Sequence, residues 1–321
     1  MLLNLLEYAW AEQLDEALML LSRTDMKTVP LAGGTYLLGQ TDDSIQAVVD
    51  LRDLELAYIT EDAHGVHIGA MSTLQSMVDA PVLQELASGI LSRAALASSF
   101  SRLIRNGATL GGTLGAGVAS QADLLTALAV LDAEVVVRSG SKTQVNLSGG
   151  TLEHPGLALS GVTYKGKQER HIPFSGIFSE RRPNELILEV IVPRLAHSGA
   201  AFTRVGRTPT DVALLNAAAV VQVTDGVFSQ VRVALGGVNM EPVRLLATER
   251  QLEGQPVSNA GDAQLLVTAV NAGIAEFQPP SDFRASSGYR RACGTNLALR
   301  VLEAAMNISR GYNAVSPEGS K

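Results

Sequence analysis

Ala32-Gly33-Gly34-Thr35 is one of two glycine-rich segments in this chain, and the other is Ala108-Thr109-Leu110-Gly111-Gly112-Thr113. Each segment joins adjacent glycines to a threonine within an otherwise apolar stretch. Glycine lets the backbone come close to a ligand and point successive N–H groups at an anion. Together the two segments predict a site for a phosphate group, and a diphosphate is the natural candidate.

The first segment lies between a predicted strand and a predicted helix start. Val29-Pro30-Leu31 precedes it and Tyr36-Leu37-Leu38 follows it, and both runs are apolar. A helix start offers unpaired N–H groups and the positive end of the helix dipole to a phosphate. The second segment follows a polar stretch and leads toward a helix near Ser120. Either segment alone is compatible with a simple turn, but the two in these contexts favour a ligand site.

Composition limits the class of protein. The chain has 321 residues, of which 46% are hydrophobic and 18% charged, so we expect a globular protein of two or three domains. Lys and Arg number 25 against 32 for Asp and Glu, and the net charge of -7 argues against a nucleic-acid surface and a basic membrane anchor. We see no secretory signal and no apolar run of spanning length. We therefore expect a cytoplasmic protein without membrane insertion.

The chain offers few residues for metal or covalent chemistry. The single cysteine, Cys293, cannot hold an iron–sulfur cluster, which needs about four thiolates, so such a cluster would belong to another chain. Only His64 and His67 lie close in sequence, and they do not make a metal site by themselves. No dinucleotide-binding fingerprint, P-loop or nucleophile motif occurs. We therefore predict a cofactor-binding site, no resident metal and no catalytic residue.

The order of predicted elements indicates an α+β fold. A helix over 14–22, strands over 29–32 and 45–51, a helix over 83–97 and a helix over 121–131 describe an α/β first half. Short strands such as 162–164 follow, and a connection near 195–200 ends this part. The last third places strands over 217–223 and 230–235 before helices over 242–253, 261–274 and 288–308.

The motifs, taken in order, resemble those of a known family: the FAD-binding medium subunit, or flavin domain, of the molybdenum hydroxylases. Xanthine dehydrogenase and the aerobic carbon monoxide dehydrogenase flavoprotein belong to that family. The resemblance covers nearly the whole chain, and it is carried by 32–35, 104–113, Asp123, 67–74, 184–193, Arg207 with Asp211, 234–238 and Tyr289-Arg290-Arg291.

The resemblance implies a fold and a domain organisation. A two-subdomain α/β FAD-binding domain of the vanillyl-alcohol-oxidase (PCMH-like) type would occupy 1–195, with subdomains of about 1–55 and 56–195. A small C-terminal domain of an antiparallel sheet and helices would occupy 200–308, and a flexible tail 309–321.

The resemblance also assigns cofactor-binding residues. Residues 30–37 and 109–113 would contact the phosphates and ribitol of FAD, Asp123 the ribose, and Ile187 with Arg204 would lie near the flavin. From the residues alone, Asp123 is equally an acidic residue in a first helical turn. The full set is Pro30, Leu31, Ala32, Gly33, Gly34, Thr35, Tyr36, Leu37, Asn106, Thr109, Leu110, Gly111, Gly112, Thr113, Asp123, Ile187 and Arg204.

The implied function is that of an oxidoreductase subunit. FAD would pass electrons from an iron–sulfur (2Fe–2S) small subunit to NAD or another acceptor, while a molybdopterin-binding large subunit oxidises the substrate. The chain departs from the family at Thr113, where the family often has Asn, at 117–121, and in extra sequence around 141–170. Two alternatives stay open: a self-contained flavin oxidase of the vanillyl-alcohol-oxidase type, and an assembly subunit that has lost FAD.

Overall fold

The computed structural model describes residues 2–118, 122–140, 168–195, 197–208, 210–238, 241–257 and 262–315. Within them the strands form three sheets, of three, five and four strands, and helices accompany each sheet. The mixture of helices and sheets confirms the predicted α+β fold class. The predicted strand 162–164 and the expected helix start at Ser120 lie outside the described residues.

The first sheet is parallel and carries the first glycine-rich segment. Its strands are β1 (Glu7–Trp10), β2 (Thr28–Leu31) and β3 (Ala47–Asp50), in the order β1-β3-β2, and α1 (Leu14–Leu21) connects β1 to β2. Every residue of β3 is buried, as expected for the central strand of a parallel sheet. β2 ends at Leu31, so the segment 32–35 begins at the carboxyl end of a strand. A single 3₁₀ turn, Leu37–Gly39, follows it.

The second sheet is antiparallel, with the order β4-β5-β8-β6-β7. Its strands are β4 (Ile59–Glu61), β5 (Val66–Gly69), β6 (Glu134–Ser139), β7 (Gln168–Pro173) and β8 (Glu185–Val192). The helices around it are α2 (Leu74–Asp79), α3 (Pro81–Glu85), α4 (Ile90–Ser98), α5 (Arg102–Gly107), α6 (Leu110–Ala116), α7 (Ala122–Ala129) and α8 (Ile177–Glu180). One hydrophobic core joins these strands and helices.

Two details of this region correct the sequence prediction. The helix expected over 83–97 is broken, because Ala87 and Ser88 adopt φ angles of 46° and 57° between α3 and α4. The polar stretch before the second segment, residues 99–106, contains most of α5, for which no helix was predicted.

The third sheet is antiparallel and forms the C-terminal part of the chain. Its strands are β9 (Ser198–Val205), β10 (Leu215–Thr224), β11 (Val227–Gly236) and β12 (Val243–Arg244), and its helices are α9 (Leu246–Leu252), α10 (Asp262–Glu276) and α11 (Ser287–Val315). The connection expected over 195–200 already contains the start of β9. The tail expected from 309 also needs correction, since α11 continues to Val315 and Ser309 is fully buried.

The second and third sheets meet through a buried polar contact, which we call the junction. The amide of Asn216 on β10 donates to the Asp123 carboxylate at 2.7 Å and accepts from the Thr126 hydroxyl at 2.8 Å. Gly236 on β11 packs against Thr126 so closely that a Cβ at this position would overlap the threonine hydroxyl. Among the described residues, no helix combines the length and the apolar character needed to cross a membrane.

Candidate functional site

A cavity of about 450 Å³ opens between the first sheet and the second sheet. Both glycine-rich segments line it, together with residues of β2 and the beginning of β8. Its size is within the range of small-molecule sites. The predicted cofactor-binding residues on its wall are Pro30, Ala32, Gly33, Gly34, Thr35, Tyr36, Leu37, Thr109, Gly111, Gly112, Thr113 and Ile187.

The two segments are brought together by a close backbone contact. A Cβ at Gly33 would overlap the carbonyl oxygen of Gly107, the last residue of α5. The methyl group of Thr35 lies 3.2 Å from where a Cβ at Gly107 would be. Glycine is therefore required at position 33 by the close approach of the Gly107 backbone, in addition to any ligand.

The first segment presents unpaired N–H groups. Gly34 has a φ of 69°, in the left-handed region that favours glycine. Within the described part of the chain, the backbone N–H groups of Gly33, Gly34, Thr35 and Tyr36 donate no hydrogen bond to another protein group. Successive N–H groups of this kind on a cavity wall form an anion-binding concavity.

The second segment uses its N–H groups within the protein. The N–H of Leu110 donates to the Ser72 carbonyl at 2.9 Å, and that of Gly111 donates to the Ala70 carbonyl at 2.8 Å. Thr109 is the N-cap of α6, and its hydroxyl accepts from the N–H of Gly112 at 3.0 Å. The second segment therefore does not offer successive unpaired N–H groups, and the binding of an anion by the first segment stays a prediction.

The side chain of Thr113, which departs from the family pattern, is also engaged. Its hydroxyl donates to the Thr109 carbonyl at 2.9 Å and is buried. A hydroxyl that donates one hydrogen bond can still accept another. Thr113 therefore stabilises the start of α6 while it lies on the cavity wall.

The wall opposite the first segment carries a basic residue that sequence reasoning missed. Arg181 follows α8 and lines the cavity, and one of its terminal nitrogens donates to the Glu185 carbonyl oxygen at 3.1 Å. Burial lowers the pKa of its guanidinium, an effect only partly offset by the negative charge of Glu185. The only signal for it in the sequence is the adjacent pair Arg181-Arg182.

Three predicted residues lie near the cavity but not on its wall. Leu31 is the last residue of β2, and Leu110 is fully buried in the core of the second sheet. Asn106 is exposed on α5. These positions hold or flank the segments, and direct contact with a cofactor stays a prediction for each of them.

Asp123 and Arg204 lie at the junction. Their closest side-chain atoms, Oδ2 of Asp123 and Nε of Arg204, are 3.5 Å apart, and Arg204 also donates to the Ala97 carbonyl at 3.1 Å. Burial raises the pKa of the Asp123 carboxyl, although Arg204 and Asn216 act in the opposite direction. The structure brings these two predicted residues to each other and not to the cavity wall, so their assignment to the cofactor stays a prediction.

His67 belongs to a separate cluster on β5. Its Nδ1 lies 3.1 Å from a Glu189 carboxylate oxygen, and its Nε2 lies 3.2 Å from a carboxylate oxygen of Asp62. Desolvation lowers the pKa of His67, but the hydrogen bonds to Glu189 and Asp62 outweigh it and raise the pKa above 6.5. Among the described residues, no group of three or more His, Cys, Asp or Glu side chains is arranged to hold a metal ion.

Two family models match the chain. The FAD binding domain in molybdopterin dehydrogenase matches residues 4–152, which contain both glycine-rich segments. The CO dehydrogenase flavoprotein C-terminal domain matches residues 200–305, which form most of the third sheet and its helices. The two matched regions lie in the same order along the chain as the cavity-bearing part and the C-terminal sheet of the structure.

Individual relatives cover nearly the whole chain. The glyceraldehyde dehydrogenase medium chain of Sulfolobus acidocaldarius is 26% identical over 300 residues, covering 92% of this chain and 96% of that protein. The carbon monoxide dehydrogenase medium chain of Hydrogenophaga pseudoflava is 25% identical over 318 residues, covering 93% and 96%. The solved carbon monoxide dehydrogenase of Hydrogenophaga pseudoflava superimposes with a TM-score of 0.80 at 24% identity over 96% of this chain and 99% of that one, which shows the same fold.

Proposed function

The chain belongs to the family of FAD-binding medium subunits of the molybdenum hydroxylases, and from this premise we propose that it passes electrons from a partner iron–sulfur subunit through FAD to an acceptor. It is an oxidoreductase subunit whose cofactor is FAD. The observation that carries the proposal is the cavity, where unpaired backbone N–H groups of a glycine-rich segment face a space of cofactor size.

The residues of the cavity fit FAD chemically. The concavity formed by Gly33 to Tyr36 offers donors to the two negatively charged phosphate groups of the diphosphate. At Gly112 the absence of a side chain keeps the two segments close, since a Cβ there would lie 2.9 Å from the Thr109 hydroxyl and 3.8 Å from the Ala32 methyl. The wall is otherwise mostly apolar, which suits the ring systems. When bound, FAD supplies the redox chemistry, and the protein binds, orients and shields it.

The partners of the complex are part of the proposal. The relatives are described as medium chains, and the solved carbon monoxide dehydrogenase is described as lacking part of a molybdenum cofactor. We assign the molybdopterin to a large subunit. We assign a 2Fe–2S cluster to a small subunit, because this chain has one cysteine and a cluster needs about four thiolates. NAD is the electron acceptor to test first. We also propose that the complex is cytoplasmic.

The test starts with an absorption spectrum of the purified chain before and after incubation with FAD and desalting. We expect flavin bands and FAD at about one per chain, because one cavity carries the unpaired N–H groups. Absence of retained flavin would overturn the proposal and favour an assembly subunit that has lost FAD. The released cofactor is identified by chromatography, so that FAD is distinguished from FMN.

A second experiment separates electron transfer from the oxidase alternative. Affinity purification from the native host is expected to recover chains that contain molybdenum and an iron–sulfur cluster. The recovered complex should reduce NAD or an artificial acceptor, while the isolated chain should not oxidise an organic substrate. Turnover of an organic substrate by the isolated chain would favour the self-contained oxidase.

A further inference from the structure

The last turn of α4, the link 99–101 and α5 carry a group of exposed apolar side chains. Leu96, Phe100, Leu103 and Ile104 are 49%, 73%, 80% and 43% exposed, respectively. A single exposed apolar residue is ordinary, but four large ones between positions 96 and 104 form a patch. We call these four residues the α4–α5 surface. A patch of this kind marks a contact with another molecule.

A buried arginine fixes the shape of the α4–α5 surface. Arg105 is 7% exposed, and its Nη1 donates to the carbonyl oxygens of Ser99 at 2.6 Å and Phe100 at 3.0 Å. Its Nε donates to Oε1 of Gln75, on α2, at 2.9 Å. The link that carries Phe100 is thus tied to α5 and, through Arg105, to α2. A partner that binds a surface fixed in this way has less conformational freedom to remove.

The α4–α5 surface lies beside the cofactor cavity. Gly107 is the last residue of α5, and its carbonyl oxygen meets the backbone of Gly33. The next residue, Ala108, lines the cavity. From Leu103 to Gly107 an α-helix rises only about 6 Å. A protein that binds at Leu103 is therefore close to the cofactor, as an electron donor must be, because electron transfer slows steeply with distance.

The charges around the α4–α5 surface are positive. Between Glu85 and Asp123 the sequence has three arginines, at positions 93, 102 and 105, and no lysine, aspartate or glutamate, although the whole chain has a net charge of -7. Arg93 and Arg102 are exposed. This charge favours a partner with acidic groups at the contact. It disfavours a second copy of this chain, which would bring the same arginines to the interface.

We propose that the α4–α5 surface is the docking site of the iron–sulfur partner, with Phe100 and Leu103 at the centre of the contact and arginines 93 and 102 facing acidic side chains of that partner. The inference rests on the proposed function, in which the iron–sulfur chain is the electron donor to FAD. The molybdopterin subunit delivers its electrons to the iron–sulfur chain, so it does not need to reach the cavity. The apolar centre holds the partner, and the arginines steer its approach.

The experiment uses the complete complex, purified from the native host through a tag on this chain. The variants are F100S, L103S and R102E, and the matched controls are F283S and R250E. Phe283 is 94% exposed and lies between α10 and α11, and Arg250 is exposed on α9. Dilution of each complex, followed by its mass distribution, measures the dissociation constant of the iron–sulfur chain. FAD titration and thermal unfolding of each variant chain establish that the cavity and the fold are intact.

We expect F100S and L103S each to raise the dissociation constant of the iron–sulfur chain about tenfold, as for side chains at the centre of an interface. R102E should raise it about fivefold at low salt and less at high salt, because salt screens the attraction. F283S and R250E should behave as the wild type does, and all five variants should keep wild-type FAD affinity. If F100S does not fold, L103S and R102E carry the test, since both side chains are exposed.

Three results would overturn the inference. Wild-type retention of the iron–sulfur chain in F100S, L103S and R102E would show that the surface is not its docking site and would leave the proposed function intact. Release of the molybdopterin chain alone, or of a second copy of this chain, would assign the surface to that occupant instead. A wild-type complex without any iron–sulfur chain would overturn the proposed function and the inference with it.

Discussion

The two glycine-rich segments are similar in sequence and different in their hydrogen bonding. The first leaves the N–H groups of Gly33 to Tyr36 unpaired at the cavity, whereas the second spends those of Leu110 to Gly112 on Ser72, Ala70 and Thr109. The first therefore keeps donors available for the proposed diphosphate, whereas the second holds α6 against the second sheet. Similar residues therefore keep their N–H groups free in one segment and use them for packing in the other. The difference is whether carbonyl groups of other elements lie close enough to accept hydrogen bonds.

The largest expected effect is that of Gly33→Ala. The new Cβ would overlap the backbone carbonyl of Gly107, which cannot move without shifting α5. We expect a loss of about 3 kcal/mol or more in the free energy of unfolding, and loss of FAD binding. Chemical denaturation and FAD titration measure both. Gly39→Ala is the control, since a Cβ there meets nothing within 4 Å, and a G33A variant as stable as G39A would contradict the packing described here.

Gly111→Ala tests the second segment. A Cβ at this position would lie 2.8 Å from the Ala70 Cβ and 3.0 Å from its carbonyl oxygen. We expect unfolding to become easier by about 1–3 kcal/mol, because α6 must move away from β5. FAD affinity, measured by titration of the folded protein, should fall much less than in G33A. A variant of wild-type stability that has lost FAD would reverse the roles assigned to the two segments.

Removal of the α6 N-cap should have a smaller effect. Thr109→Val keeps the shape of the side chain but leaves the Gly112 N–H without its acceptor, at a cost of about 1 kcal/mol. Thr73→Val is the matched control, because Thr73 caps α2 through the Ser76 N–H at 3.0 Å and does not line the cavity. Thermal unfolding should show similar losses for both. If the freed Gly112 N–H reaches the cofactor, T109V alone will change FAD affinity.

The smallest expected effect is a pH dependence of folding stability caused by His67 on β5, the strand that supports the second segment. β5 leads to Ala70, and His67 on β5 is stabilised in its protonated form by Glu189 and Asp62. Because the folded pKa of His67 lies above its unfolded value, this stabilisation is complete below about pH 6.5 and is lost as pH rises through the folded pKa.

Denaturation at a series of pH values should therefore show a decline of less than about 1 kcal/mol in that window. His67→Gln should remove the decline and leave FAD affinity unchanged. His171→Gln is the control, since His171 is half exposed, lies 3.3 Å from Glu134 as its one carboxylate partner among the described residues, and belongs to β7 at the other edge of the sheet. If the decline in stability persists in H67Q, other titratable groups cause it.

Much of the fold was predictable because its signals are local. The buried run of β3, the amphipathic α1 and the strand–helix order of the C-terminal part all follow from periodicity over a few residues. β1 was not predicted, because a run of four residues is too short to give a clear periodic signal. Its alternating residues belong to the sheet through pairing with β3. The break between α3 and α4 depends on left-handed backbone angles at Ala87 and Ser88, for which the local signal in the sequence is the short Ser88-Gly89 pair.

That the two glycine-rich segments come together was predictable from the sequence, whereas their hydrogen bonding was not. The glycine-rich segments identified the cavity, yet the acceptors of the second segment are carbonyl groups of Ala70 and Ser72, far away in the sequence. A carbonyl group carries no sequence signature, so its role emerges only when the chain is folded. Arg181 was missed for a related reason, because its position on the cavity wall, held by the Glu185 carbonyl, depends on how β8 enters the second sheet.

The junction has an evolutionary consequence. Asp123 and Thr126 come from one domain, and Asn216 with the bare backbone of Gly236 come from the other, in full burial. A C-terminal domain transplanted from another protein would bring its own residues to positions 216 and 236. A larger residue at 236 would collide with Thr126, and an apolar one at 216 would remove the amide that donates to the Asp123 carboxylate, so the two halves are exchangeable only as a matched set.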